Sequence, residues 1–180
     1  MKHNKLMDMT TKEKLIKRLQ YLWTWELFDT FFLPAVFVWI VLMRDGRIGI
    51  FTIYSLLCLD LILWQGVAYW RLKLEAVRRD QPIDPYRLRP FQAWKKINWL
   101  VLGLLPFVLL IRGFLAGGWQ FNFELWAGAF LYLLAFLEQV NYFYYQLMYD
   151  YPEDWKNLVR NRKLKKASLR RALESRDETQ

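Results

Sequence analysis

The chain has one cysteine and one histidine in 180 residues, and each scarcity excludes chemistry. Cys58 has no partner for an intrachain disulfide and gives no reading of redox compartment. His3 lies in the N-terminal tail, so no imidazole falls within the long apolar segments. Typical zinc and haem sites need histidine or thiolate ligands, and hydroxyl nucleophiles need an adjacent base; neither pattern is present. The third scarcity is positional. Of 26 Lys and Arg residues, only Arg44, Arg47 and Arg112 lie in two short connections between apolar runs. The rest fall in the N-terminal tail, in a middle segment from Arg71 to Lys96, and in the C-terminal tail.

What is present explains that distribution. Four apolar runs cover roughly Trp23–Met43, Ile50–Trp70, Ile97–Leu115 and Leu125–Tyr145. At 1.5 Å per residue, about 20 helical residues cross a hydrocarbon core of about 30 Å. A mean hydropathy of +0.02 and 24% charged residues resemble a soluble domain only because averaging hides this segregation. The first run is too long for a signal-peptide core and lacks a small-residue cleavage site, so it is expected to be retained. The predicted fold is therefore all-α: a four-transmembrane-helix bundle made of two helical hairpins.

Basic residues collect on the cytoplasmic side of membrane proteins. Both termini and the 71–96 loop are accordingly predicted to be cytoplasmic, with two short outer connections, and the bacterial cytoplasmic membrane is the expected location. A net charge of +9 would also suit a nucleic-acid binder, but cations crowded at the ends of apolar runs argue against nucleic acid as a partner. Trp23, Trp25, Trp70, Trp94, Trp99 and Trp155 map to one boundary, and Trp39, Trp119 and Trp126 to the other. Interfacial anchoring accounts for most of this aromatic content.

Three regions follow. Residues 1–22 read as a basic amphipathic segment, with capping-box spacing at Thr10 and Glu13 and apolar Leu15, Ile16, Leu19 and Leu22. It either lies at the headgroup surface or continues into the first span. Residues 23–148 hold the four spans, a turn at Arg44–Arg47, and an irregular inner loop from Asp80 to about Phe91, broken by Pro82, Pro85 and Pro90. Gly103 and Pro106 predict a kink in the third span. Residues 149–180 form a basic tail whose helix is expected to start near Pro152, Glu153 and Asp154. Lys14, Lys17 and Arg18, with Arg160, Arg162, Lys163, Lys165 and Lys166, are the expected contacts to anionic inner-leaflet lipids, worth about 1 kcal/mol per basic residue near the surface.

Carboxylates inside the spans carry the functional signal. An acidic residue at a helix centre costs about 2.5–3.5 kcal/mol on insertion scales, so each must be protonated, paired, hydrated or shallow. Glu26 and Asp29 share a face of the first span, Asp60 lies near the middle of the second, and Glu138 falls in the inner half of the fourth. With Asn98, Asn141, Tyr142 and Tyr145 they can gather in the cytoplasmic half of one bundle, as a candidate polar cavity. The spacing of Glu138, Tyr142, Tyr145 and Tyr149 predicts one inward helical stripe. No cofactor and no metal is expected, although Glu26, Asp29 and Glu138 have the oxygen chemistry of a hard-cation site.

These residues suit three roles. In the first, they are polar glue in a small noncatalytic integral membrane protein: a scaffold, regulator or accessory subunit. In the second, they bind a proton, cation or small solute in a carrier. In the third, they serve an embedded enzyme acting on lipid or quinone at the inner leaflet. The first is the primary expectation, with membrane lipids and a homo-oligomer or membrane-protein partner as its contacts. Ala127 and Gly128 would allow the close helix approach that an oligomer needs.

Overall fold

The structure, a computed structural model, describes residues 2–45, 47–118, 121–147 and 164–177; side chains of residues 2–11, 45 and 177 lie outside that description. Among the described residues six helices follow in chain order: α1 Lys2–Asp45, α2 Ile50–Arg79, α3 Pro85–Gly103, α4 Leu105–Leu115, α5 Phe123–Phe143 and α6 Ser168–Asp177. Among the described residues there is no strand, and one isolated bridge pairs Tyr145 with Lys166. Four stretches are long and apolar enough to cross a membrane: Lys12–Arg44, Ile50–Arg79, Pro85–Leu115 (α3 with α4) and Phe123–Phe143.

The second span is the centre of the molecule. It packs most extensively against α5 and then α1, and it touches α3 and α4 as well. A helix that is apolar on nearly all sides is one that neighbours surround. Accordingly Leu59, Ile62 and Tyr69 are buried, meeting Leu131 and Phe143 of α5 and Phe91 of α3 in one core. The other helices keep large apolar side chains on their outer faces, among them Phe31, Trp39, Leu100, Phe107, Phe114 and Trp126. Exposed apolar area on this scale is what a hydrocarbon surround covers.

The N-terminal segment is continuous with the first span, one of the two arrangements expected, and Thr10 is an interior helical residue and not a cap. Other elements depart from the sequence expectation. The third span begins at Pro85, which shortens the irregular loop to residues 80–84. Proline at the first helical position costs nothing because its amide would be unpaired there anyway, and Asp84 caps the turn by accepting from the Tyr86 amide at 2.9 Å. Pro90 is carried inside α3. Asp80 ends α2 at φ 57°, and the Asp80 and Gln81 amides close back on Val77 and Ala76.

The fourth span leaves helical geometry at Tyr144. There the chain pairs with residues 165–167 instead: the Gln146 amide donates to the Lys165 carbonyl at 2.8 Å, and the Ala167 amide donates to the Tyr144 carbonyl at 3.2 Å. Tyr145 therefore lies off the helix, and the predicted tyrosine stripe stops at Tyr142; Tyr149 is outside the described residues. This pairing brings α6 against the bundle, where Leu169 and Leu173 join the core. The predicted kink is present as the α3–α4 break at Leu104. The Gly46 turn residue and the expected helix start at Pro152–Asp154 lie outside the described residues.

Candidate functional site

Polar side chains inside the bundle sort into three levels. At the end farthest from the basic segments, the Arg112 guanidinium donates from Nε to Glu124 Oε2 at 2.9 Å and from Nη2 to Asn122 Oδ1 at 2.8 Å. Both members of the ion pair are 5% exposed. The Thr52 amide donates to Glu124 Oε1 at 3.1 Å, so the connection before α5 is tied to the start of α2. None of these residues was among the sequence candidates. The available signal was one acid and one base flanking a single short connection.

At mid-depth, Asn98 joins three helices. Its Oδ1 accepts from Gln65 Nε2 at 2.9 Å, and its Nδ2 donates to Gln65 Oε1 and Gln139 Oε1, each at 2.8 Å. All three amides are buried. Asn98 therefore belongs to a closed α2–α3–α5 hydrogen-bond group and does not line a cavity. Asp60 is half-buried beside the flank of α2 and also lies away from the cavity, with Oδ1 unpartnered among the described residues.

The third level is a cavity of about 440 Å³ between α1, α2, α5 and α6, at the end where the basic segments meet. Five of the sequence candidates line it: Glu26, Asp29, Glu138, Asn141 and Tyr142. Asn141 Nδ2 donates to Glu138 Oε2 at 3.2 Å, while Asn141 Oδ1 accepts from the Leu147 amide at 2.9 Å. Asn141 thus aims the carboxylate and also secures the chain as it leaves α5. The Tyr142 ring tip lies against Gly66, where an added Cβ would run into the Tyr142 phenol and come 2.8 Å from Glu26 Oε1. Only a residue without a side chain lets the phenol and carboxylate approach α2 this closely.

Four cations line the same cavity: Arg18 of α1, Lys73 of α2, Lys165 before α6, and Arg171 of α6. Lys73 Nζ donates to Ser168 Oγ, and the Ser168 hydroxyl also meets the Tyr69 hydroxyl at 2.7 Å. Lys73 sits over the Tyr69 and Trp70 rings, 5.9 and 5.4 Å from their centroids. Of the expected lipid contacts, Lys14 and Lys17 are exposed outside the cavity, Arg18 and Lys165 line it, and Lys166 pairs with Glu174 at 2.9 Å. Arg160, Arg162 and Lys163 are outside the described residues. Tyr145 is partly exposed at its bridge to Lys166.

Chemically the cavity is banded. Lys73 lies seven positions after Gly66, and Glu26 eight after Arg18, which puts the cationic and carboxylate bands about 10–12 Å apart along the helices. Leu33, Leu59, Leu63 and Leu134 form an apolar end beyond the carboxylates. No group of three metal-ligating side chains among the described residues is arranged to hold an ion. No family model, curated protein or solved structure matches this chain.

Proposed function

We propose that the protein is a small noncatalytic integral membrane protein, acting as a regulator or accessory subunit through its banded cavity. In this reading both chain ends face the cytoplasm of a bacterial cell, and the cavity lies at the level of the inner leaflet. The observation that carries the proposal is the cavity itself: about 440 Å³ of space framed by carboxylates at one level and four cations at another. Ligand sites commonly fall between 300 and 1,000 Å³ and combine apolar walls with a few fixed polar groups. Polar glue alone needs no such space, and the Gln65–Asn98–Gln139 group serves that purpose a few ångströms away, fully satisfied.

Sidedness and binding are tested together. Single cysteines introduced by Lys5→Cys, Gln180→Cys and Arg47→Cys are labelled with an impermeant thiol reagent in sealed vesicles of known orientation. Cys58 is buried and stays silent. The first two should react only from the cytoplasmic side and the third only from the other. Leu63→Trp should fill the cavity and remove any small molecule that copurifies with the wild type, as read by native mass spectrometry. Labelling of the two chain ends from opposite sides would overturn the topology, and an unchanged bound mass would overturn the cavity as the site.

A further inference from the structure

We infer that the cavity takes a phosphate-bearing amphiphile, with its phosphate among Arg18, Lys73, Lys165 and Arg171 and its alkyl portion along the leucine-lined end. The inference rests on the binding role proposed above and names its ligand class. Four basic side chains from three separate segments line the cavity, and Lys73 bonds Ser168 there. Such a concentration of positive charge attracts an anion. Ser168 opens α6 beside them, so the positive end of that helix dipole adds to the same potential. Ser168 Oγ and Lys73 Nζ are already oriented by their mutual bond and by Tyr69, which lowers the entropy lost when an anion binds.

The rest of the cavity sets the ligand's other end. A free phosphate would fill the cationic band and leave Leu59, Leu63 and Leu134 facing an empty or wetted space. An alkyl chain covers them at a gain of about 25 cal/mol per Å². The cavity also reaches the flank of the bundle, since Tyr21 and Trp25 line it and are 59% and 50% exposed. A chain longer than the cavity has a path into the bilayer there. Glu26, Asp29 and Glu138, between the cations and the leucine-lined end, disfavour a second anionic group and accept from hydroxyl or ammonium donors. The ligand is therefore expected to carry a single anionic end.

The test uses the full-length protein in a mild nonionic detergent, with binding followed by the rise in unfolding temperature. Three probes are titrated: a short-chain phosphatidic acid, the matching diacylglycerol, and inorganic phosphate. Saturable stabilisation by phosphatidic acid alone is the expected result. Lys73→Gln and Arg171→Gln should each weaken it about tenfold, the worth of one charge-assisted hydrogen bond. Arg171 is exposed, so its variant keeps the test valid if Lys73→Gln fails to fold. The double variant Lys14→Gln/Lys17→Gln should bind as the wild type does. Equal loss in that double variant would mean diffuse surface attraction and would overturn the inference. An equal response to inorganic phosphate would reduce the site to a free-anion site. An equal response to diacylglycerol would sink the phosphate assignment while leaving the cavity as a binding site. No response to any probe, with Leu63→Trp also without effect on bound mass, would sink both.

Discussion

The hydroxyl of Tyr132 donates to the backbone carbonyl of Leu102 at 2.8 Å, supplying the hydrogen bond that Pro106 cannot give. In an unbroken helix that carbonyl would accept from the amide four residues on, and proline has none. The neighbouring Val101 carbonyl accepts from the Tyr54 hydroxyl and also from the Leu104 amide at 3.1 Å, and the Tyr54 hydroxyl lies 3.4 Å from the Leu102 carbonyl as well. The α3–α4 break is therefore a repaired one: phenols from α5 and α2 supplement the backbone bonds lost there.

Coupling between these residues follows. Tyr132→Phe should destabilise by about 0.5–1.5 kcal/mol, the worth of one hydrogen bond, since the Tyr54 hydroxyl still approaches the same carbonyl. Pro106→Ala restores an amide donor, so Tyr132→Phe should cost much less in that background. Unfolding temperatures of the two single variants and the double variant in detergent measure the coupling. Additive losses would show that the hydroxyl is not serving the broken turn.

The Arg112–Glu124 pair should behave as a buried unit. Glu124→Gln removes one charge and strands the other, so a loss of about 3–5 kcal/mol is expected. Arg112→Met combined with Glu124→Leu removes both charges and should recover most of it. Because both groups are buried, the wild-type pair should also be insensitive to salt over the range that screens surface charges. The check is chemical denaturation of the three forms at low and high ionic strength.

Within the amide group, bond number predicts rank. Asn98 makes three hydrogen bonds, and its loss leaves both Gln65 and Gln139 unpartnered on that side. Asn98→Ala should therefore exceed Gln65→Ala, and Gln65→Ala should exceed Gln139→Ala, whose partners are Asn98 and, at 3.4 Å, the Lys95 carbonyl. Interhelical bonds in membranes average about 0.6 kcal/mol each, so total losses of about 1–2 kcal/mol are expected for Asn98→Ala. Thermal melts of the three variants test the order.

Gly66→Ala is expected to be harmful despite the higher helix propensity of alanine. The new methyl would meet the Tyr142 phenol and Glu26, and overpacking of this kind costs about 1–3 kcal/mol. Tyr142→Leu removes the ring tip and should rescue much of the loss. Failure of the second substitution to compensate would place the strain elsewhere.

Acid should loosen α6 locally. Lys166 and Arg170 bond the Glu174 carboxyl and hold it below the usual carboxylate range. A depressed carboxylate contributes stability above its unfolded value, and that contribution fades as pH falls through the folded one. The group is fully exposed, so the effect is confined to α6 and weakened by salt. Hydrogen exchange of α6 amides should rise at low pH in the wild type and already be raised at neutral pH in Glu174→Gln.

How much of this was legible in the sequence depended on whether a feature is local. Span count and the clustering of basic residues need only composition along the chain, and the four long apolar helices appeared where expected. Helix ends were less legible. A run of polar residues from Pro85 onward looks like loop until Asp84 is seen as its cap. Glu124 fell one residue outside the predicted fourth span and Arg112 was read as a connection residue, so their pairing across the turn went unseen. Asn98 was singled out, but which side chains it would touch depends on the rotation of three helices about their axes. That rotation is set by packing and has no trace in spacing along one helix.

α4 shows the opposite condition. Arg112 is its only buried side chain, and that guanidinium holds the far end of the segment. The two phenols act just before it, on carbonyls at the end of α3. In between, its side chains are exposed or half-buried, with α2 as the main neighbour. Exchanging one oily residue for another along the exposed side of this short stretch should therefore cost little packing.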